Sequence, residues 1–356
     1  MKKDIMQLLK ERQPEIDAII EEWIPRRLDE QNIVRTLGKP AFVYDVGTAT
    51  KSVNDLLWDI LDRGGKRWRP VLLLLAAEAI GGKGIVDKIK DFVILPEVVH
   101  NGTLVVDDVE DGSEMRRGKP CLNISYGVDL AVNAGNSMYF LPLQVLMNNK
   151  TLSDKQKVKI YDIYSQEMIN VSYGQGFDIY WHKGLADEVS QEQYLQMCAY
   201  KTGCLARLAA KVGAVLGGAD DETVEAAGKF AEAIGIAFQI QDDLLNLVGE
   251  VEKYGKEIGG DITEGKRTLM VIHCLEHADS KQGKRLLSIL NMHSREQELI
   301  MEAIGIMKRT NSFEYSKSYA KKMVETAWAN FEKKLKPSEA KEYLQSFADF
   351  MINREV

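Results

Sequence analysis

Apolar residues recur at spacings of three and four along most of this chain, which is the periodicity of helices that bury one face. No long stretch alternates apolar and polar residues as a half-buried strand would. We therefore predict an all-α fold. The spacing predicts helices over residues 4–24, 50–62, 68–80, 89–109, 129–148, 154–178, 190–216, 221–249, 266–277, 282–290, 295–308, 313–335 and 337–352.

Two of these helical segments, 68–80 and 203–216, are apolar nearly all round, which is typical of helices at the centre of a large bundle. The chain has no low-complexity linker and no sharp change of composition. We therefore expect a single domain. It would span 1–356, with a core over 50–280 and flanking helices at 1–49 and 281–356 packed on that core.

The composition narrows the classes of function. The chain has 356 residues, of which 45% are hydrophobic, and its formal net charge is −7. That charge argues against a broad surface for nucleic acid or for an anionic membrane. An acidic protein of this kind binds polyanions only through a local basic pocket or through bound metal.

The cysteines and the N-terminal residues indicate a cytoplasmic protein without stable membrane insertion. The four cysteines form no CxxC pair, so free thiols in a reducing compartment are favoured over a zinc site. Residues 1–23 are too charged for a signal peptide. No apolar run approaches the roughly 20 residues of a membrane span.

The first candidate site is the acidic run of residues 107–111, Asp-Asp-Val-Glu-Asp, which follows an apolar segment. On a helix Asp107 and Asp111 share a face, and like charges at that spacing repel each other unless a cation lies between them. Carboxylates in this arrangement suit Mg²⁺, which usually keeps waters and bridges to substrate phosphates. Taken alone, the run is equally compatible with a solvated helix end.

A second acidic run lies far along the chain, at Asp242 and Asp243, and the segment ends in Asn246. It follows the apolar stretch AIGIAFQI, where carboxylates are costly to desolvate without partners. Two such runs on otherwise apolar helices favour a shared metal centre that faces a cavity.

Basic segments accompany the acidic runs: GGKRWRP at 64–70, RRGKP at 116–120, KTG at 201–203, Lys256, and GKRT at 265–268. Each alone is best interpreted as a solvated basic turn. Together they would place cations beside the metal, as diphosphate binding requires. The GKRT segment is not a nucleotide P-loop, because the upstream glycine spacing is wrong and no predicted strand precedes it.

These segments, with FQIQDD before Leu244, occur in the order found in trans-prenyl diphosphate synthases, which the chain resembles over roughly residues 55–280. The stretches HNGTLVVDDVED and GQGFDIYW are most similar to geranylgeranyl diphosphate synthases, which also end the second acidic motif in Asn. The resemblance implies an all-α isoprenoid synthase fold around a deep cavity, and a homodimer.

The resemblance also implies the site. It implies two or three Mg²⁺ ions, with Mn²⁺ as a substitute, held by Asp107, Asp111 and Asp242. It implies that Lys66, Arg69, His100 and Arg117 bind isopentenyl diphosphate. The residues implied for the allylic diphosphate are Arg116, Lys201, Thr202, Gln239, Asn246, Lys256 and Lys266. The residues implied in catalysis are Asp107, Asp108, Asp111, Asp242, Asp243, Lys201, Thr202 and Gln239. Without the resemblance, His100 and Phe238 would be interpreted as core residues.

Product length is expected to depend on the residues just before the first acidic run. Short-product relatives carry aromatic side chains where this chain has Gly102 and Thr103, so we expect an open bore and a product of twenty carbons or more, geranylgeranyl diphosphate first. Tyr139 and Phe140 could form the floor of the bore, or be ordinary core aromatics.

Three other functions are alternatives to a head-to-tail prenyl diphosphate synthase. A terpene cyclase and a head-to-head condensing enzyme are disfavoured, because neither explains GGKRWRP together with Arg117. A non-catalytic subunit of a heteromeric synthase commonly loses acids or cations from these motifs, and none is evidently lost in this chain.

Overall fold

The structure, a computed structural model, describes residues 3–186, 188–248 and 259–352, and these are overwhelmingly helical. The helices are α1 Ile5–Trp23, α2 Glu30–Leu37, α3 Val46–Ala49, α4 Asp55–Asp62, α5 Trp68–Gly81, α6 Val86–Ile89, α7 Ile94–Glu110, α8 Leu122–Tyr126, α9 Val128–Phe140, α10 Gln144–Asn148, α11 Asp154–His182, α12 Gln191–Cys198, α13 Cys204–Leu216, α14 Asp221–Val248, α15 Gly260–Thr263, α16 Leu269–His277, α17 Ser280–Met292, α18 Gln297–Arg309, α19 Ser312–Phe331 and α20 Glu339–Ile352. The strands are β1 Met115–Arg116 and β2 Lys119–Pro120, which pair antiparallel. In the part of the chain that the structure describes, no helix is long and apolar enough to cross a membrane.

The chain divides into two compact units, and the first comprises Lys3–Tyr161 together with Ala209–Ala219. Helix α5 is buried along nearly its whole length, as its all-round apolar sequence predicts. A Cβ added at Gly217 would lie 2.8 Å from the carbonyl oxygen of Ala77 in α5. Glycine therefore allows the two backbones to approach closely at that point. Helix α7, which ends at the first acidic run, packs on α9 in the same unit.

The second unit comprises Asp162–Leu208 and the residues from Asp220 onward. Its longest helix, α14, carries the second acidic run and packs on α19. An aromatic cluster joins those two helices, since the ring of Phe230 lies 5.2 Å from that of Trp328 and 5.4 Å from that of Phe331, centroid to centroid. The helix that carries the acidic run is thus packed on α19 through this aromatic cluster.

The observed helices confirm the predicted all-α class and differ from the predicted segments at a few places. A five-residue π-helical turn at Ala199–Gly203 interrupts the predicted 190–216 helix, and another at Thr50–Asn54 forms the start of the predicted 50–62 helix. A short 3₁₀ turn, Leu141–Leu143, breaks the predicted 129–148 helix at Pro142, which cannot donate a backbone hydrogen bond. Helix α2 was not predicted. The expectation of one domain stays a prediction.

Candidate active site

In the first unit, a buried arginine fixes the GGKRWRP turn. Arg67 has left-handed backbone geometry, with φ 50°. Its guanidinium donates hydrogen bonds to Asp17 Oδ1 and Glu97 Oε1, each at 2.8 Å, and to the carbonyl oxygen of Leu61 at 2.9 Å. Residues from α1 and α7 therefore hold the turn that presents Lys66.

A group of cations surrounds His100 in the same unit. Burial lowers the pKa of the His100 imidazole well below its usual range, and the positive charges of nearby arginines lower it further. Those arginines are Arg69, Arg117, Arg116 and Arg67. His100 is therefore neutral at pH 7 and still has a ring N–H to donate, in surroundings that attract an anion.

Arg117 faces the same turn from the β1–β2 hairpin. Its Nη1 donates to the carbonyl oxygen of Gly64, and also to Asn101 Oδ1 at 3.3 Å. Burial lowers the pKa of Arg117 below its ordinary value, and the charges of Arg67 and Arg116 lower it further. An incoming anion would relieve this crowding of positive charge.

The carboxylates of the first acidic run have different surroundings. Asp108 is buried and accepts a hydrogen bond from Arg116 Nε at 2.8 Å, and Asp107 Oδ2 lies 3.3 Å from Arg116 Nη2. Asp111 caps the end of α7 and is exposed. Arg116 therefore contacts both Asp107 and Asp108, whereas Asp111 is the most exposed of the three carboxylates.

Gly102 lies where α7 and α9 cross. A Cβ added at Gly102 would lie 2.7 Å from Met138 Cβ and 3.2 Å from Tyr139 Cε1. The predicted wall residues Gly102 and Tyr139 are therefore neighbours. Thr103 is half-buried and donates its hydroxyl to the carbonyl oxygen of His100 at 2.8 Å. The Phe140 side chain is 69% exposed, which gives its predicted place in the wall no support.

In the second unit, the Lys201–Thr202 dipeptide lies in the π-helical turn between α12 and α13. π-Helical turns inside helices are frequent at functional sites. Glycines allow two neighbouring helices to approach the turn. An added Cβ at Gly174 of α11 would lie 2.6 Å from the carbonyl carbon of Tyr200, and one at Gly235 of α14 would lie 2.6 Å from Gly203 Cα.

Lys201 forms an ion pair that the sequence analysis missed. Its Nζ lies 2.6 Å from Asp178 Oδ2, which belongs to the GQGFDIYW stretch on α11. Burial would raise the pKa of Asp178, but the ammonium groups of Lys201 and Lys266 outweigh burial, so the pKa lies below its ordinary value. The carboxylate of Asp178 is thus ionised and orients Lys201.

A chain of hydrogen bonds links Thr202 to the second acidic run. The Thr202 hydroxyl donates to Gln239 Oε1 at 2.8 Å, and Gln239 Nε2 donates to Asp243 Oδ1 at 2.8 Å. Tyr194 donates to the other oxygen of Asp243 at 2.7 Å. Burial, followed by the charge of Asp261, raises the pKa of Asp243 to about 7.

Asn246 and Lys266 both contact the segment that begins at Gly259. Asn246 Oδ1 accepts a hydrogen bond from the backbone N–H of Asp261 at 3.0 Å. Lys266 Nζ lies 3.1 Å from Asp261 Oδ1 and 2.6 Å from Glu264 Oε2. Burial would lower the pKa of Lys266, but these two carboxylates outweigh it, so the pKa lies well above its ordinary value. Lys256, a predicted ligand of the allylic diphosphate, lies outside the described residues.

Known proteins resemble this chain over most of its length. Residues 50–307 match the family model described as polyprenyl synthetase. The chain belongs to the polyprenyl synthetase family. It is 32% identical to the geranylgeranyl diphosphate synthase of Methanosarcina mazei, over 98% of this chain and 97% of that one. It is 35% identical to the short chain isoprenyl diphosphate synthase of Methanothermobacter thermautotrophicus, over 83% of this chain and 88% of that one.

A solved structure confirms the fold. The crystal structure of geranylgeranyl pyrophosphate synthetase from Pyrococcus horikoshii superposes with a TM-score of 0.84 at 30% identity, covering 99% of this chain and 98% of that one. The polyprenyl synthetase assignment confirms the predicted fold class and the predicted class of enzyme, a prenyltransferase. Synthases of this family act on isopentenyl and allylic diphosphates and generally use divalent metal ions.

The acidic runs of this polyprenyl synthetase carry oxygen ligands of the type that divalent metals bind. Among the residues described, no three Asp, Glu, His or Cys side chains converge as a ready-made metal site. Mg²⁺ is commonly held by one or two carboxylates, with waters and substrate phosphates as its other ligands. Asp107, which is half-buried, and Asp111, which is exposed, carry carboxylate oxygens of this kind on one helix face. In the second unit, the raised pKa of Asp243 marks a place where a cation would offset negative charge.

Proposed function

We propose that this polyprenyl synthetase condenses isopentenyl diphosphate head-to-tail with an allylic diphosphate, and that its main product is geranylgeranyl diphosphate. The observation that carries the two-substrate reaction is the presence of a separate group of cations in each unit. In the first unit Arg69, Arg117 and Arg67 lie near His100, while Arg116 pairs with Asp107 and Asp108; in the second unit Lys201 and Lys266 each pair with a carboxylate. A terpene cyclase needs only one diphosphate site.

The group around His100 is proposed to bind isopentenyl diphosphate through Lys66, Arg69, His100 and Arg117. Fixed guanidinium groups hold phosphate oxygens in a bidentate manner, and the neutral imidazole adds a donor without adding charge. The lowered pKa of Arg117 supports this assignment, because a bound diphosphate would restore the balance of charge.

The allylic diphosphate is proposed to be held by Arg116, Lys201, Lys256 and Lys266, with Asn246 nearby. We propose that two or three Mg²⁺ ions bind at Asp107, Asp111 and Asp242, and that Mn²⁺ substitutes. When bound, the metal neutralises charge on the diphosphate as it leaves. Lys201 and Lys266 stabilise the same developing charge, since their carboxylate partners Asp178 and Asp261 hold the two ammonium groups in place.

The oxygens of Thr202 and Gln239 are proposed to face the allylic cation. Both belong to the hydrogen-bonded chain that ends at Asp243, so their orientation is fixed before substrate binds. Ordered oxygen dipoles stabilise positive charge without reorganising. The described motifs offer no dedicated base, and the released diphosphate is proposed to take the proton from the condensed product.

The product length is proposed from the wall near Asp107. Gly102 has no side chain and Thr103 has a small one, so α7 itself contributes no bulky side chain just before the acidic run, and Met138 and Tyr139 of α9 pack against Gly102. The Tyr139 ring lies against Gly102 and is proposed as the floor. The geranylgeranyl diphosphate synthases of Methanosarcina mazei and Pyrococcus horikoshii support a twenty-carbon product.

We also propose a homodimer. On α11, apolar side chains spaced by three or four residues are exposed in the single chain: Ile169, Tyr173, Phe177 and Tyr180, between 37% and 62%. A second copy of the chain would cover such a stripe. Light scattering coupled to size-exclusion chromatography measures the assembly, and Tyr173→Glu should shift a dimer toward monomer.

The assay that tests the function supplies the purified protein with Mg²⁺, radiolabelled isopentenyl diphosphate and each allylic diphosphate in turn. Chromatography should show a twenty-carbon product, and a chelator should abolish it. Mainly farnesyl diphosphate would refute the assigned product length. Release of diphosphate without use of isopentenyl diphosphate would indicate a cyclase, and no turnover would indicate a non-catalytic subunit.

A further inference from the structure

Tyr194 is a buried tyrosine on α12. It belongs to none of the sequence motifs, and the proposed reaction gives it no role. Its side chain is 1% exposed. The hydroxyl donates to Asp243 Oδ2 at 2.7 Å, and Asp243 is itself only 4% exposed. A buried hydrogen bond between a hydroxyl and a carboxylate is among the stronger ones in proteins.

The bond made by Tyr194 determines how the next residues are oriented. With one oxygen of Asp243 taken by Tyr194, the other accepts from Gln239 Nε2. The Gln239 amide then presents its carbonyl oxygen to the hydroxyl of Thr202. With Asp243 ionised, the opposite amide orientation would set two hydrogen-bond acceptors against each other.

The two ends of this chain of bonds lie on one segment. Tyr194 and Thr202 are eight residues apart, on α12 and the π-helical turn that follows it. The two middle members, Gln239 and Asp243, are four residues apart on α14 and share a face. These bonds thus attach α12 and the π-helical turn to α14 at two points. The two points are about two helical turns apart along α12 and the turn, and about one turn apart along α14.

We propose that Tyr194 is a positioning residue: by holding the Asp243 carboxylate, it sets the orientation of Gln239 and Thr202 toward the reacting carbons. This inference rests on the proposed roles of Thr202 and Gln239. Tyr194 does not touch substrate; it acts through Asp243. Without its hydroxyl, the carboxylate can turn, and the Gln239 amide loses its fixed partner.

The kinetic test replaces the hydroxyl alone, with Tyr194→Phe. The kcat should fall roughly tenfold, the loss expected when one hydrogen bond to a charged group is removed. The KM for isopentenyl diphosphate should stay unchanged, and the fraction of allylic diphosphate that is hydrolysed instead of condensed should rise. Tyr315→Phe is the matched control, because it removes a 2.6 Å bond to Gln191 at the start of the same helix α12 but outside this chain of bonds.

A double-mutant cycle with Thr202→Val tests the coupling itself. If Tyr194 acts through Asp243 and Gln239, the effect of Tyr194→Phe on kcat should be much smaller in the Thr202→Val background. The same cycle can be measured by urea unfolding, which needs no substrate. The shift of the unfolding midpoint in the double variant should then differ from the sum of the shifts in the two single variants. If the unmodified protein is active, an unchanged kcat in Tyr194→Phe would overturn the inference. Additive shifts of the unfolding midpoint would overturn it whether or not the protein is active. Absence of condensation by the unmodified protein would instead refute the proposed function.

Discussion

Replacing Gly174 by alanine should destabilise this protein, whereas the same change two residues later, at Gly176, should stabilise it. A Cβ at Gly174 would lie 2.6 Å from the carbonyl carbon of Tyr200 and 2.8 Å from its Cβ, and it would also meet the backbone nitrogen of Lys201. Backbone atoms of a packed turn cannot rotate away, so α11 or the turn must shift. At Gly176 nothing lies within 4 Å.

The magnitudes follow from packing and helix propensity. An extra methyl group in a packed core lowers the free energy of unfolding by about 1–3 kcal/mol. Within a helix, alanine raises that free energy by up to about 1 kcal/mol relative to glycine. Gly174→Ala should therefore lose about 1–2 kcal/mol of unfolding free energy, and Gly176→Ala should gain about 0.5–1 kcal/mol. The two variants should then differ by about 2 kcal/mol, a ratio of roughly 30 in the unfolding equilibrium constant.

Urea unfolding of the two variants beside the unmodified protein measures these free energies from the midpoint and slope. Gly174→Ala should also raise the KM for the allylic diphosphate, because the displaced turn carries Lys201. Equal changes of one sign in the two variants would refute the close approach of α11 to the turn.

Three further changes test other parts of the site. Glu97→Gln removes a charged partner of buried Arg67. The free energy of unfolding in urea should therefore fall by about 1–3 kcal/mol, and the KM for isopentenyl diphosphate should rise. Unchanged values of both would contradict the role given to Arg67. Tyr139→Ala should shift the product toward longer chains by chromatography, whereas Phe140→Ala should not, and equal shifts would contradict the floor assignment. Because the folded-state pKa of His100 is lowered, the unfolded chain binds a proton that the folded chain does not, so stability falls as pH drops below about 6.5. His100→Asn should reduce that slope, measured by unfolding between pH 5 and 7, and an unchanged slope would contradict the assignment.

Helices were the most predictable part of the fold, because the positions of apolar residues in a helix show which of its faces is buried. A π-helical turn inside a predicted helix and the unpredicted helix α2 show the limit of this periodicity. The π-helical turn at Ala199–Gly203 leaves the apolar spacing almost undisturbed, so periodicity cannot reveal it. Helix α2 is only eight residues long and buries only Ile33, so its apolar face is too short to stand out, although a capping box between Asp29 and Asn32 marks its start.

The candidate site could be predicted where it consists of contiguous motifs, and not where its support comes from distant residues. Lys201 is recognisable within KTG, but its partner Asp178 lies 23 residues away along the chain. Tyr194 and its partner Asp243 are 49 residues apart. Such pairings depend on how helices pack, and a single sequence has no local pattern that records them. The GQGFDIYW stretch was noticed as a resemblance, yet no pattern assigned its aspartate a role.

The amide at the end of the second acidic run has a physical explanation in the second unit. Asn246 Oδ1 accepts the backbone N–H of Asp261, which fixes the start of the segment that carries Lys266. An aspartate at this position would keep the acceptor but add a negative charge three residues from Asp243. The charge of Asp261 already raises the pKa of Asp243. A neutral amide therefore anchors the segment without adding to a repulsion that only bound cations would offset.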